Sequence, residues 1–289
     1  MKISQVVKNS SLSRPETEIL LSFLLKKSRE FIMAHPETAV EPVAYGRYQL
    51  LEKERLAGWP IAYLTGEKEF YGLDFQVSPA VLTPRPETEL MVEEIINEIK
   101  VNDDFRPSDL WLIDVGTGSG AIIITLAREL QRLAPRIFKR SKIAAADISA
   151  SALRLAGANA RRHGLAKKIK FYRDDLLTPL KSQLKGRRLI IAANLPYLTP
   201  RQIKNSPSIK REPRLALDGG TDGLKYYRRL FTQLAPIKYQ SLALFCEIDP
   251  GQTAKMIKLV KKHWPAASLK IIKDLAGRNR LVIIKNGGN

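Results

Sequence analysis

The sequence predicts an α/β fold: a mostly parallel sheet with helices on both faces, preceded by a small helical domain and a β-hairpin linker. Three observations carry that expectation. From residue 111 onward, short apolar runs alternate with helical stretches, the pattern of strands joined by crossover helices. The first apolar run opens directly onto a glycine-rich loop and then a further helical stretch. Before about residue 80 that alternation is missing, and apolar residues recur at helical spacing.

Residues 13–34 read as one helix. Ser13 stands three before Glu16, a capping-box spacing, and Pro15 falls in the first turn, where its missing N–H is harmless. Ile19, Leu20, Phe23, Leu24 and Phe31 build its apolar face. A second helix runs from about Glu41 to Leu56 and stops at Gly58. Phe70, Phe75 and Val77 flank a turn at Tyr71-Gly72-Leu73-Asp74, which reads as a hairpin. Thr83-Pro84-Arg85-Pro86 is too stiff for a helix interior and leads into a helix from Glu87 to about Lys100. The domain boundary is therefore expected near residue 80, with the helical domain and hairpin over 1–80 and the α/β domain over 81–289. Strands are expected at Trp111–Val115, Lys142–Ala146, Ile169–Arg173, Leu189–Ala193, Ser241–Ile248 and Leu281–Ile284. Helices are expected over Ala121–Leu133 and Ser149–His163.

A chain of 289 residues with 44% hydrophobic content can build one large domain and a small companion. Cys246 is its single cysteine, so no internal disulfide can form, which fits a reducing cytoplasm. His35, His163 and His263 lack metal-ligand spacing, and no metal is expected. No run approaches the length of a membrane span, and the N-terminus lacks a signal-peptide core, so a soluble cytoplasmic protein is expected. The net charge of +19 is uneven: residues 1–80 hold 10 basic and 10 acidic side chains, the remainder 38 and 19. Such an excess attracts polyanions, whether nucleic acid or a ribosome-associated partner, and equally suits a set of solvated faces.

The chemistry concentrates at the ends of the expected strands. Asp114-Val115-Gly116-Thr117-Gly118-Ser119-Gly120 joins strand to helix, and its three glycines let the backbone approach a ligand closely. N–H groups at the following helix start favour a carboxylate or phosphate. Gly116, Gly118 and Ala121 also satisfy a dinucleotide fingerprint, so this loop alone leaves the cofactor open. Asp147 closes the second strand, where a carboxylate reaches the hydroxyls of a ribose. Asp174 and Asp175 follow the third; Asp175 is the preferred contact for an adenine amine, with a helix N-cap as the plainer role. Asn194-Leu195-Pro196-Tyr197 follows the fourth and discriminates. A nitrogen about to be methylated must point its lone pair at the methyl donor. The Asn194 side-chain oxygen and the Leu195 carbonyl can accept its two N–H groups, Pro196 holds Leu195 extended, and Tyr197 can pack on a planar substrate. That pattern selects S-adenosylmethionine over a nicotinamide cofactor.

Asn194–Tyr197 resembles the Asn-Pro-Pro-Tyr signature of methyltransferases acting on planar nitrogens. The signature is shared by adenine-N6 nucleic-acid methyltransferases and by the HemK/PrmC-type methyltransferases of release-factor glutamine. Ala62–Gly66, Glu69–Phe75, Thr83–Glu89, Glu212-Pro213, Ala216–Gly223, Glu247-Ile248, Gln252 and Asp274–Arg278 are similar to the second group, in order, from about residue 13 to 284. The resemblance implies a Rossmann-like class I methyltransferase domain with a seven-stranded, mostly parallel sheet. It implies methyl transfer from S-adenosylmethionine, with S-adenosylhomocysteine as product, to the side-chain N5 of the Gly-Gly-Gln glutamine of a class I peptide chain release factor. Asp114, Gly116, Thr117, Gly118, Gly120, Asp147, Asp175 and Asn194 would hold the cofactor. Asn194, Leu195, Pro196 and Tyr197 would form the catalytic and substrate-binding loop. Arg85 and Glu87 would line the substrate entrance, or alternatively form a salt bridge at the helix start. An adenine-N6 methyltransferase is the rival reading, disfavoured by the neutral first 80 residues. Leu195 departs from the family's first proline: it keeps the carbonyl but loses the fixed φ. The acidic residue common before the fourth strand is replaced by Arg187-Arg188, which nothing explains.

Overall fold

The computed structural model describes residues 1–101 and 110–288. Contacts group the chain into two units, Met1–Glu67 with Ser206–Arg211, and Lys68–Asn205 with Glu212–Asn289.

The first unit holds α1 (Ile3–Asn9), α2 (Arg14–Leu25), α3 (Arg29–Ala34), α4 (Pro42–Leu56) and α5 (Ile61–Thr65). Its core gathers Ile3, Val6, Leu20, Leu21, Ile32, Val40 and Tyr48. The single helix expected over 13–34 is instead two. Lys26 adopts a left-handed φ of 52° and the N–H of Lys27 returns to the carbonyl of Ser22 at 3.2 Å, ending α2. Ser28 then caps α3, its Oγ accepting from the Phe31 N–H at 3.2 Å. Buried Glu18 spans the break by accepting from Arg14 at 2.8 Å and Arg29 at 3.1 Å. At the start of α2, Glu16 accepts from the backbone N and Oγ of Ser13, as the capping-box spacing predicts.

The hairpin pairs β1 (Glu67–Phe70) with β2 (Leu73–Gln76). Its turn is Tyr71-Gly72 alone, both at positive φ; Leu73 and Asp74, expected in the turn, belong to β2. Phe70 and Phe75 are buried in a core of the second unit. In chain order there follow α6 (Glu89–Val101), β3 (Leu110–Val115), α7 (Ala121–Leu133), α8 (Pro135–Arg140), β4 (Lys142–Asp147), α9 (Ala150–Arg162), β5 (Ile169–Arg173) and β6 (Arg188–Ala193). Then come α10 (Pro200–Lys204), α11 (Lys225–Leu234), β7 (Ser241–Glu247), α12 (Thr253–His263), β8 (Ser268–Lys273) and β9 (Asn279–Gly287). The sequence does not announce α8, α10, α11, α12 or β8.

β3 to β9 form one seven-stranded sheet in the order β5-β4-β3-β6-β7-β9-β8, parallel except for β9, which runs antiparallel to both its neighbours. One face packs Tyr227, Phe231, Met256 and Val260 of α11 and α12; the other packs Met91, Ile95, Ile123 and Ile124 of α6 and α7. The order reverses at β3/β6: from β3 the chain steps outward to β4 and β5, then returns beside β3 as β6. Loops leaving the carboxyl ends of strands on either side of such a reversal diverge and leave a crevice.

Candidate active site

That crevice is a cavity of about 370 Å³, lined by loops after β3, β4, β5 and β6, the Ala80–Arg85 hinge and the Pro213–Ala216 segment. The glycine loop is moulded onto β4: the N–H groups of Gly116 and Thr117 donate to the carbonyl of Ala146 at 2.8 and 3.1 Å. Gly118 N–H donates to Asp147 Oδ2 at 2.9 Å, and Ser149 N–H to Oδ1 at 2.8 Å. Burial nonetheless raises the Asp147 carboxyl above the usual range. Gly120 caps α7 at a φ of 82°, and a Cβ there would lie 2.9 Å from Ile124 Cδ1 and 3.2 Å from Ala156, so only glycine lets α7 and α9 approach. Asn159, fully buried on α9, donates to the carbonyls of Ser119 at 2.8 Å and Gln76 at 3.0 Å, tying loop to hairpin.

Among the expected cofactor residues, Gly116, Thr117, Gly118, Asp147, Asp175 and Asn194 line the cavity, whereas Asp114 and Gly120 do not. Asp114 lies fully buried beneath the loop and accepts from Thr117 Oγ1 at 2.6 Å; burial raises its pKa to about 7, with the nearby Asp147 adding to the shift. Asp175 accepts from Arg229 at 2.5 Å, and both line the cavity. Ile148, 53% exposed, and Leu176, at a left-handed φ of 52°, supply apolar walls that the sequence reading missed. An isoleucine directly after a strand-ending aspartate was the available signal. The cavity thus joins a glycine loop with nothing within 4 Å of a Gly118 Cβ, a carboxylate at the end of β4 and apolar walls. A nucleoside such as that of S-adenosylmethionine fits this arrangement.

Asn194–Tyr197 leaves β6 through a cage of fixed contacts. Asn194 Nδ2 donates to Thr88 Oγ1 at 3.1 Å, and Thr88 Oγ1 donates to Glu247 Oε2 at 2.7 Å. Tyr197 hydroxyl donates to Glu247 Oε1 at 3.1 Å. Glu247 is 2% exposed; burial pushes its pKa up, opposed by the two hydroxyl donors and by Arg280. Burial and the neighbouring Glu247 push the Tyr197 hydroxyl well above its ordinary value. Tyr197 is not among the residues that line the cavity, and its hydroxyl bond to Glu247 braces the loop. Tyr227 hydroxyl bridges the carbonyls of Ala193 and Glu247.

Leu195 is 2% exposed, and its Cδ2 would lie 3.1 Å from a Cβ on Gly116. Where the resembled signature has proline, this chain anchors the loop through a buried side chain packed on the glycine turn. Beneath the loop, Leu198 N–H donates to the Leu217 carbonyl at 2.9 Å and Gly219 N–H to the Leu198 carbonyl at 2.8 Å. A Cβ at Gly219 would lie 2.5 Å from the Pro196 carbonyl oxygen, and one at Gly223 2.1 Å from that of Tyr197. Gln252 Nε2 donates to the Tyr197 carbonyl at 2.6 Å. Arg85 lines the cavity and is paired with buried Glu212 at 2.5 Å. Glu87 is exposed and does not line it, so the ion pair at this helix start joins Arg85 to Glu212. Among the described residues no group of three or more His, Cys, Asp or Glu could hold a metal ion.

Two family descriptions match the chain, a PrmC N-terminal domain over residues 3–66 and a methyltransferase domain over residues 107–263. The release factor glutamine methyltransferase of Moorella thermoacetica is 37% identical over 269 residues, spanning 92% of this chain and 89% of that protein. That of Bacillus subtilis is 33% identical over 92% of this chain and 88% of its own length. Among solved structures, the human METTL16 catalytic domain in complex with a MAT2A 3′UTR hairpin aligns with a TM-score of 0.57 at 12% identity, over 91% of each chain. The N-terminal domain of human METTL16 in complex with SAH aligns with a TM-score of 0.51 at 14% identity, over 91% of this chain and 93% of that one. At those identities the structural likeness speaks to the fold alone.

Proposed function

The chain belongs to the release factor glutamine methyltransferases, and from that premise we propose that it methylates the side-chain N5 of the glutamine in the Gly-Gly-Gln motif of a class I peptide chain release factor. The observation that carries this reading is the orientation of Asn194. The Thr88 hydroxyl donates to Glu247 Oε2 and so is left to accept from Asn194 Nδ2. That commits Nδ2 to Thr88 and leaves Oδ1 as the free face of the carboxamide. Oδ1 and the Leu195 carbonyl are then two acceptors for the two N–H groups of a primary amide, whose nitrogen lone pair is left for the methyl. A glutamate side chain offers no N–H and brings a charge, so the same pair rejects it.

S-adenosylmethionine, when bound, supplies an electrophilic methyl on a sulfonium and leaves as S-adenosylhomocysteine. In this reading Asp147 holds the ribose hydroxyls, Asp175 the adenine amine, and Ile148 and Leu176 flank the base. Among the described residues no His or Cys lines the cavity. An amide is a poor nucleophile, so positioning and hydrogen bonding provide the rate enhancement. Arg85 guides the substrate loop, and the N-terminal helical domain with the hairpin, over 1–80, grips the release factor. The reaction belongs to the cytoplasm, where release factors work beside the ribosome.

Mass spectrometry of a release factor incubated with enzyme and S-adenosylmethionine tests the proposal. One methyl on the Gly-Gly-Gln glutamine, and none on a Gly-Gly-Glu variant, is expected. Methyl transfer to DNA or RNA with none to the release factor would overturn it.

A further inference from the structure

More than half of the net charge sits in one stretch of chain. From Arg136 to Arg173 there are 11 Lys/Arg and a single acidic residue, Asp147, an excess of 10 out of +19. This stretch builds α8, β4, α9 and β5, the last being an edge strand of the sheet. Asp147 stands at the carboxyl end of β4, in the candidate active site. The opposite end therefore carries cations without an acidic residue from this stretch.

There, at the amino ends of β3, β4 and β5, lies a recess of about 240 Å³. Lys139, Arg140, Lys142, Lys167, Lys168 and Lys170 line it, and no acidic residue does among the described residues. Trp111 and Tyr172 add aromatic walls. Lys168 is held in place, donating to the carbonyls of Ser141 at 2.9 Å and Lys139 at 3.3 Å, over the Phe138 ring at 4.9 Å. Burial and the nearby Lys142 lower its pKa. Six cations converging on one recess repel each other, and among the described residues no carboxylate in the lining offsets that repulsion. Protection of an open sheet edge accounts for Lys170 and Arg173 on β5. It does not account for Lys139, Arg140, Lys142 and Lys167, which lie at the end of α8, the start of β4 and the turn before β5.

We propose that this recess binds the sugar-phosphate backbone of a single-stranded nucleic acid, at the end of the sheet opposite the methyl-transfer site. Five of the six cations are lysines, point charges that follow phosphates without the fixed fork of arginine, which suits binding independent of sequence. The half-buried Tyr172 between the cations suits a nucleobase, which polyglutamate does not offer.

Fluorescence anisotropy of the full chain with a labelled single-stranded RNA of mixed sequence, across a salt series, tests this. Affinity should fall steeply with salt, each phosphate contact contributing about 0.7 to the slope. The triple reversal Lys139→Glu, Lys142→Glu and Lys170→Glu should weaken binding at least about tenfold and lower the slope by about 2. An equal reversal on α12, Lys255→Glu, Lys258→Glu and Lys262→Glu, separates a site from bulk charge and should weaken binding far less. Equal losses in the two triples, no binding by the wild-type chain, or equal competition by polyglutamate would each overturn the proposal. So would a recess variant that binds RNA normally but no longer methylates a release factor, since the face would then belong to the protein substrate. Retained methyl transfer with lost RNA binding is the expected pairing, and it leaves the methyltransferase reading standing separately.

Discussion

The carboxamide of Asn194 has two faces of nearly equal shape, and only one presents an oxygen to the cavity. Thr88 and Glu247 decide between them, although Thr88 lies 106 residues from Asn194 and 159 from Glu247 in the chain. Asn194→Ala should lower single-turnover methyl transfer by about a hundredfold or more. Thr88→Val keeps the shape but removes the acceptor for Nδ2; turnover should fall about tenfold while calorimetric affinity for S-adenosylmethionine stays unchanged, and Thr88→Ser should restore the rate. A normal rate in Thr88→Val would show that Asn194 needs no such guide. Asp147→Ala, by contrast, should weaken cofactor binding in the same calorimetry, and unchanged affinity would take Asp147 out of the site. Asn194, Asp147 and the glycines were legible because each closes or follows an apolar strand. Thr88 and Glu247 fall in segments the sequence marks as family-like, but their role was not legible, since a hydroxyl and a carboxylate acquire it only when distant segments meet.

Among the elements, the loop after β6 depends on glycines that belong to another segment. Gly223 and Gly277 share nearly the same backbone conformation, with φ of 75° and 73°, but differ in surroundings. A Cβ at Gly277 meets nothing within 4 Å, whereas one at Gly223 would lie 1.8 Å from Gln252 Nε2. Gly277→Ala should therefore lose only the left-handed penalty of about 1 kcal/mol and retain activity. Gly223→Ala should break the Gln252 bond to Tyr197 and abolish most methyl transfer, with a larger drop in melting temperature. Equal effects in the two variants would mean that backbone conformation alone governs the loop. Strands β3, β4 and β6 were readable because they are buried along nearly their whole length, and glycines mark the end of β3. β8, an edge strand with the exposed and half-buried residues Ser268 to Lys273, lacks that apolar run. The break after α2 falls on Lys26, whose left-handed conformation has no glycine to announce it.

The stability of the whole molecule should carry the imprint of a carboxyl kept from water. Asp114 has a pKa of about 7 in the folded chain against 3.8 for the free group. The native state therefore holds this proton more tightly than the unfolded one. Its burial is harmless below about pH 4, grows costly as the unfolded chain ionises, and is fully unfavourable above about pH 7, by on the order of a few kcal/mol. Denaturant midpoints should thus be higher at pH 5.5 than at pH 8.5, and Asp114→Asn should flatten the difference. A midpoint that rises with pH in the wild-type chain would contradict the assignment. At the same scale, the first unit is not a continuous stretch of chain. Arg211 sits over the Trp59 ring at 5.0 Å and donates to the Ala57 carbonyl at 3.2 Å, so Ser206–Arg211 completes a unit that otherwise ends at Glu67. During synthesis at about 5–20 residues per second, that completion trails the rest of the unit by on the order of ten seconds. The helices near the amino terminus leave the ribosome early but are finished only after the loop that follows β6 has been made.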